Sequence, residues 1–332
     1  DPGKGGILIC GMGDYVDDLW LEFDIVDGSV FEGKNMVRFA GDTRYETALK
    51  TADALKKSLD VDKFSDIIVA DGNNYPDALA GSYLAKVKKA PLLLVDRSVA
   101  SEKMIGEYIG KNLSDKGTVY LLGGSDVVTE RFEKSLKGTD VKRLAGDTRY
   151  ETNLEILNEA KASKEDLLAC TGEGFADSLS ASAVGKPILL VDNRGLMENQ
   201  KTYLDKANVQ DIYLIGGADV VSDKVGKELK SYDKDSKTER IAGDNRYKTS
   251  VAVAKAFFPD KCDTAVLAYG MKFPDGLAGG PLAISMGSPL LLVEETAYAD
   301  AKAYGSSVGI SRLAVLGGTD VISDATAKRI LQ

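Results

Sequence analysis

One eight-residue segment, Ala40-Gly-Asp-Thr-Arg-Tyr-Glu-Thr47, returns as Ala145-Gly-Asp-Thr-Arg-Tyr-Glu-Thr152 and again as Ala242-Gly-Asp-Asn-Arg-Tyr-Lys-Thr249. Three more blocks follow it in a fixed order. Tyr75-Pro-Asp-Ala-Leu-Ala-Gly81 matches Phe175-Ala-Asp-Ser-Leu-Ser-Ala181 and Phe273-Pro-Asp-Gly-Leu-Ala-Gly279. Pro91-Leu-Leu-Leu-Val-Asp96 matches Pro187-Ile-Leu-Leu-Val-Asp192 and Pro289-Leu-Leu-Leu-Val-Glu294. Leu122-Gly-Gly-Ser-Asp126 matches Ile215-Gly-Gly-Ala-Asp219 and Leu316-Gly-Gly-Thr-Asp320. The chain is therefore a triplication. Its period of about 100 residues exceeds the roughly 20–45 of a solenoid repeat, so each copy is the size of a domain.

Within a copy, short apolar runs alternate with helical patterns. In the first, strands are expected at 37–40, 67–70, 92–95 and 119–122, and helices at 43–59, 76–87, 98–113 and 129–136. Runs apolar on both faces, such as Leu92-Leu-Leu-Val95, suit buried parallel strands, and their alternation with helices suits βαβ units. The expected fold class is α/β, as three tandem modules with mainly parallel sheets at 37–141, 142–240 and 241–332. Residues 1–36 are set apart as an extension or linker. Within them Ile7-Leu-Ile-Cys-Gly-Met-Gly-Asp14 bears a faint likeness to the strand and Gly-Gly-x-Asp block. Asp1 is not a start methionine, so an upstream leader or domain is expected to have been removed.

Composition removes several chemistries. Of 332 residues none is histidine, which rules out Ser-His-Asp and Cys-His nucleophile systems and any imidazole acid or base. Cys10, Cys170 and Cys262 have no zinc-site spacing, and their odd number leaves at least one unpaired within the chain. No metal or cofactor is expected, since neither a GxGxxG nor a GxxxxGK[ST] loop occurs. A net charge of −9, from 42 basic and 51 acidic residues, argues against general nucleic-acid binding. No apolar run reaches the roughly 18 residues of a membrane span.

The recurring motifs have both structural and ligand-binding readings. Thr43 with Glu46, and Thr148 with Glu151, fit a helix capping box, while the third copy has Asn245 and Lys248. Arg44, Arg149 and Arg246 fall in a first helical turn, where a cation is disfavoured by the helix dipole. They call for a compensating partner: Asp77, Asp177 or Asp275, a neighbouring module, or an anionic ligand. Those aspartates follow a strand and a glycine-containing loop, the edge of an open sheet at which ligands meet the chain. As first-turn carboxylates they are also favourable in themselves. The Gly-Gly-x-Asp turns join strand to helix and can present backbone N–H groups.

Taken together, RxAGD-T/N-RYxT, the Y/F-x-D-x-L block, the P-L/I-LLV-D/E strand and L/I-GG-x-D-V resemble the type 2 cell-wall-binding repeat of Gram-positive bacteria, over about 37–332. The resemblance implies Rossmann- or Toprim-like modules around a pseudo-threefold axis. It implies a secreted, non-catalytic anchor that binds an anionic secondary cell-wall polysaccharide, with other surface-layer proteins as a further class of partner. The family's arginine corresponds to Arg44, Arg149 and Arg246. Its leucine-rich tract corresponds to Leu92, Leu93 and Leu94, to Ile188, Leu189 and Leu190, and to Leu290, Leu291 and Leu292. With Asp77, Asp177 and Asp275 these form the expected ligand-binding set. Ala176, Ser180 and Ala181 in the second copy, and Asn245 and Lys248 in the third, depart from the pattern, so the modules are not expected to bind equally. Two rival readings are a surface-lattice scaffold working through protein contacts and a carboxylate-dependent wall hydrolase.

Overall fold

The structure is a computed structural model that describes residues 3–9, 19–25, 30–234 and 238–331. Strands β1 (Gly3–Ile9) and β2 (Leu19–Ile25) form an antiparallel pair of their own. The likeness noted in Ile7–Asp14, and Cys10 with it, lies mostly outside the described residues.

The first repeat runs β3 (Met36–Phe39), α1 (Arg44–Ser58), β4 (Phe64–Asp71), α2 (Pro76–Lys88), β5 (Leu92–Val95), α3 (Val99–Asn112), β6 (Leu113–Leu122) and α4 (Glu130–Ser135). The second runs β7 (Asp140–Leu144), α5 (Arg149–Glu159), β8 (Leu167–Thr171), α6 (Ala176–Ala181), β9 (Ile188–Val191), α7 (Glu198–Ala207), β10 (Ile212–Ile215) and α8 (Asp223–Leu229). The third runs β11 (Glu239–Ile241), α9 (Arg246–Phe257), β12 (Thr264–Tyr269), α10 (Gly279–Ser285), β13 (Leu290–Val293), α11 (Ala299–Val308), β14 (Arg312–Leu316) and α12 (Asp324–Ile330). The expected capping boxes close α1 and α5, and Asn245 caps α9 through the N–H groups of Tyr247 and Lys248.

The repeats form three four-stranded parallel sheets, ordered β5-β4-β6-β7, β9-β8-β10-β11 and β13-β12-β14-β3. In each, the strand that opens one repeat is the edge strand of the preceding repeat's sheet. Val141 pairs with Val119 of the first sheet. The strand that opens the first repeat, β3, joins the last sheet, Val37 opposite Ala314. The third sheet is thus completed by a segment some 280 residues away in sequence, which ties the two ends of the triplication together.

Helices continue the same head-to-tail order. α2 packs on α5, α6 on α9, and α10 on α1. The leucine tracts sit behind these contacts. β5, β9 and β13 pack against α1, α5 and α9, and β9 and β13 also touch α2 and α6 of the preceding repeat. All nine tract side chains are at most 1% exposed.

An edge strand in such a place needs its backbone groups satisfied. In the second module the fully buried Asn153 does this, its Nδ2 donating to the Ile188 carbonyl at 2.8 Å and its Oδ1 accepting from the Leu190 N–H at 2.9 Å. Ser250 holds the Leu292 N–H at 3.1 Å in the third module. Charged groups add to the first boundary, where Glu159 of α5 meets both Lys88 of α2 and Lys142 of β7.

Candidate functional site

Where one module meets the next, the loops at the carboxyl ends of its strands face the Ala-Gly-Asp turn of the following repeat. Between the first and second modules this groove is lined by Asp71, Asn74, Asp77 and Asp126 on one side and Asp147, Thr148 and Arg149 on the other. Between the second and third it is lined by Glu173, Gly174, Asp177 and Asp219 against Asp244, Asn245 and Arg246. At the third boundary Asp275 faces Thr47 and Arg44 of the first repeat.

The Gly-Gly-x-Asp turn forms the floor. Its first glycine takes φ +99° at Gly123, +107° at Gly216 and +91° at Gly317, the left-handed region that favours glycine. The arginine opening each following repeat secures this turn, with Nη1 donating to the glycine carbonyl: Arg143 to Gly123 at 2.8 Å, Arg240 to Gly216 at 2.8 Å and Arg38 to Gly317 at 2.7 Å. These three arginines are absent from the ligand-binding set expected from sequence. Their signal is the R of RxAGD, present in all three copies.

Arg44, Arg149 and Arg246 point the other way along the wall. Each donates through Nη1 to the carbonyl of the glycine after its own repeat's central strand, Gly72 at 2.6 Å, Gly172 at 2.5 Å and Gly270 at 2.8 Å. That carbonyl is a partner for a cation in a first helical turn, the compensation the sequence calls for. The facing carboxylate comes from the preceding repeat: Asp77 feels Arg149, Asp177 feels Arg246 and Asp275 feels Arg44. Among the described residues none of these pairs closes to an ion pair within 4.0 Å. The nearest bridge is Arg149 to Glu173 at 3.6 Å. A guanidinium with donors to spare thus lines each boundary.

Burial pushes Asp77 up to about 6; Asp71 and Asp126 add to the shift and Arg149 opposes it. Burial likewise raises Asp177 to about 6, against a hydrogen bond from Thr249, while Asp219 adds to the rise. Asp275 is raised by burial in the same way, against Thr47 and Arg44. Thr47, Thr152 and Thr249 are buried, each Oγ1 accepting from the N–H of its Ala-Gly-Asp glycine at 3.1 Å.

The leucine tracts require a correction. Leu92, Leu93, Leu94, Ile188, Leu189, Leu190, Leu290, Leu291 and Leu292 have no side-chain surface to present to a polymer, because they fill the interiors of the modules, with β9 and β13 also packed on the preceding repeat. Half-buried aromatic residues line the groove between the second and third modules instead. Tyr75, Phe175 and Phe273 occupy equivalent repeat positions and meet one another, with ring centroids 6.0, 5.5 and 5.6 Å apart. The Arg246 guanidinium lies 5.3 Å over the Phe175 ring. In the sequence these aromatics stand out only as part of a block, since their meeting depends on how three modules close.

Comparison with known proteins follows the same repeat. The family described as Cell wall binding domain 2 (CWB2) matches residues 38–133, 143–226 and 240–327. The Amidase enhancer of Bacillus subtilis (strain 168) is 28% identical over 295 residues, covering 86% of this chain and 39% of that protein. The N-acetylmuramoyl-L-alanine amidase LytC of the same strain is 30% identical over 201 residues, 59% of this chain and 40% of that protein. Among solved structures, Cwp8 from Clostridium difficile superposes with a TM-score of 0.79 at 26% identity, over 90% of this chain and 52% of that one. Cwp6 from the same organism gives 0.77 at 21% identity, over 99% and 51%. The chain spans about half or less of the length of these relatives. By three matches that together span most of its length, the chain belongs to the cell wall binding domain 2 family.

Proposed function

We propose that this chain is a non-catalytic anchor that holds a secreted surface protein on the Gram-positive cell wall by binding an anionic secondary wall polysaccharide in the grooves between its modules. The observation that carries this reading is the threefold recurrence of one groove, with an arginine from one repeat facing an aspartate from the one before. A repeating polymer can engage several such grooves at once, and weak contacts then multiply through effective concentration.

The units of duplication are 37–141, 142–240 and 241–332, Rossmann- or Toprim-like modules arranged about a pseudo-threefold axis. The mutual contact of Tyr75, Phe175 and Phe273 and the cyclic packing of α2 on α5, α6 on α9 and α10 on α1 support that arrangement. The two grooves that flank the second module each carry more carboxylates than arginines. Charge attraction is therefore one part of the affinity, and hydroxyl groups donating to carboxylates are the other. The raised aspartates do not make the groove a hydrolase. Burial accounts for the rise, and it recurs at all three boundaries as a wall of the groove would.

The test is co-sedimentation of the chain with Gram-positive walls before and after chemical removal of the secondary polymer. Saturable binding that disappears with the polymer is expected, weakened when Arg44, Arg149 and Arg246 are replaced together by alanine. Binding that persists on stripped walls would assign the ligand to peptidoglycan instead.

A further inference from the structure

The grooves share a plan and differ in shape. The residue before the aromatic is Asn74 in the first module, Gly174 in the second and Lys272 in the third. The residue after it is Pro76, Ala176 and Pro274. In the second module both wall positions are cut back, one to hydrogen and one to a methyl. The cavity there measures about 620 Å³, against about 180 Å³ between the first and second modules. Small-molecule sites typically measure roughly 300–1,000 Å³, so only the larger of these two is of ligand size.

The larger groove also reaches inward to Tyr75, Phe175 and Phe273, none of which lines the smaller one. All three residues are half-buried. The groove therefore has aromatic surface at its inner end and carboxylates beside one guanidinium at its outer end. A pyranose is complementary to both. Its C–H face is apolar and packs on aromatic rings, and its hydroxyls donate to carboxylates. A polyanion without a sugar ring would meet several carboxylates and one arginine, and a purely apolar ligand would leave those carboxylates desolvated without partners.

We infer that the groove between the second and third modules is a pyranose-binding subsite, in which Tyr75, Phe175 and Phe273 contact the C–H face of a sugar ring and Arg246 takes its anionic substituent. The subsite rests on the wall-polymer reading and adds to it where along the ring the sugar is read. It also gives the departure of Ala176 from its repeat a role, which is to open the groove.

The experiment uses the full chain and polysaccharide released from Gram-positive walls by mild acid, followed by saturation-transfer NMR with irradiation of aromatic protons. Transfer to the pyranose ring C–H protons is expected. Phe175→Leu keeps apolar bulk and removes the ring. Gly174→Asn gives this groove the wall of the first at a position with room for a Cβ, which meets only Thr171 Cγ2 at 3.5 Å. Both variants are expected to bind roughly tenfold more weakly, the scale of one lost ring contact, and Phe175→Leu to lose most of the transfer. If both bind as the unmodified chain does while Arg246→Ala binds more weakly, the subsite is wrong and the anchor reading stands. If the unmodified chain binds no polysaccharide, both fall.

Discussion

Asp77 and Gly123 press together at the floor of the first groove: a β-carbon on the glycine would lie 2.6 Å from the Asp77 Oδ2. The same approach joins Asp177 to Gly216 at 2.5 Å and Asp275 to Gly317 at 2.6 Å. Two of the four recurring sequence blocks are thereby one structural unit. Asp77 and Asp177 open the helix after the central strand. Asp275, expected in a first helical turn as well, lies in a turn ahead of α10, which starts only at Gly279. The glycine directly follows the next strand of the same sheet. The arginine of the following repeat then ties the glycine carbonyl, so one turn fixes both the carboxylate and the neighbouring module.

Gly123→Ala is therefore expected to cost more than a left-handed glycine alone would. Gly138, with φ +80° and nothing within 4 Å of the place an alanine methyl would occupy, supplies the comparison. Gly138→Ala should cost about 1 kcal/mol of backbone strain. Gly123→Ala adds a collision with Asp77 and Val127 and should cost at least about 2 kcal/mol. Urea unfolding midpoints measure the difference, and equal costs would show that Asp77 moves aside freely.

The groove carboxylates make stability depend on pH with a defined sign. Asp77 and Asp177 ionise at 3.8 in a free chain and at about 6 when folded, so between these values the folded state binds more protons than the unfolded one. Their contribution is present in full below about pH 4, falls as pH rises to about 6 and is absent above it. The Asp77→Asn, Asp177→Asn double variant should lose that fall, gaining up to roughly 5 kcal/mol over the parent at pH 7 relative to pH 4. Chemical denaturation at half-unit steps from pH 4 to 7 reads this directly. Protonation also removes negative charge from the groove, so binding of an anionic polymer should tighten from pH 7 to pH 5. Unchanged affinity would mean that these carboxylates do not face the bound ligand.

Much of this architecture is legible locally. The capping boxes at Thr43 and Thr148, the strand at Leu92–Val95 and the helix from Pro76 each depend on a few neighbouring residues, and they lie where residue pattern puts them. What escapes depends on distant partners. Periodicity marks β3 as a strand but does not say that its neighbour is β14. Spacing brings Arg149 to a helix start but does not reveal that it faces Asp77 of the preceding repeat. The leucine tracts show how the two kinds of information mislead when merged. Recurrence marks them as important, and burial shows that their importance lies in filling the module interiors.

Asn153 offers a test of that interior. Its side chain bridges the Ile188 carbonyl and the Leu190 N–H on the edge of β9, with no exposure to water. Asn153→Ala strands both backbone groups and should destabilise by about 2–4 kcal/mol. Asn153→Ser reproduces the third module, where Ser250 serves Leu292, and should recover part of the loss. Thermal unfolding of both variants checks the order, and an alanine variant as stable as the parent would mean that water takes the place of the amide.

The closure of the third sheet by β3 makes the sharpest prediction about the fold. Leu313 N–H donates to the Asn35 carbonyl and Gly317 N–H to the Phe39 carbonyl, both at 2.9 Å. Arg38 reaches across to the Gly317 and Ile322 carbonyls at 2.7 and 2.8 Å and pairs with Asp324 at 2.7 Å. A chain starting at Gly41 loses all of these and leaves β14 with an open edge. It should lose hydrogen-exchange protection at Leu313–Leu316, while Ile212–Ile215 of the second sheet, whose edge strand β11 is intact, keeps its own. A peptide spanning 30–40, added in trans, should restore protection, because the missing strand is the whole defect. Arg38→Ala should give a smaller loss at the same four residues, about 1–3 kcal/mol, since it removes charge-assisted bonds but leaves the backbone ladder. Loss spread evenly over all three sheets would instead mean that the modules unfold as one unit, with β3 holding the entire ring rather than its last sheet.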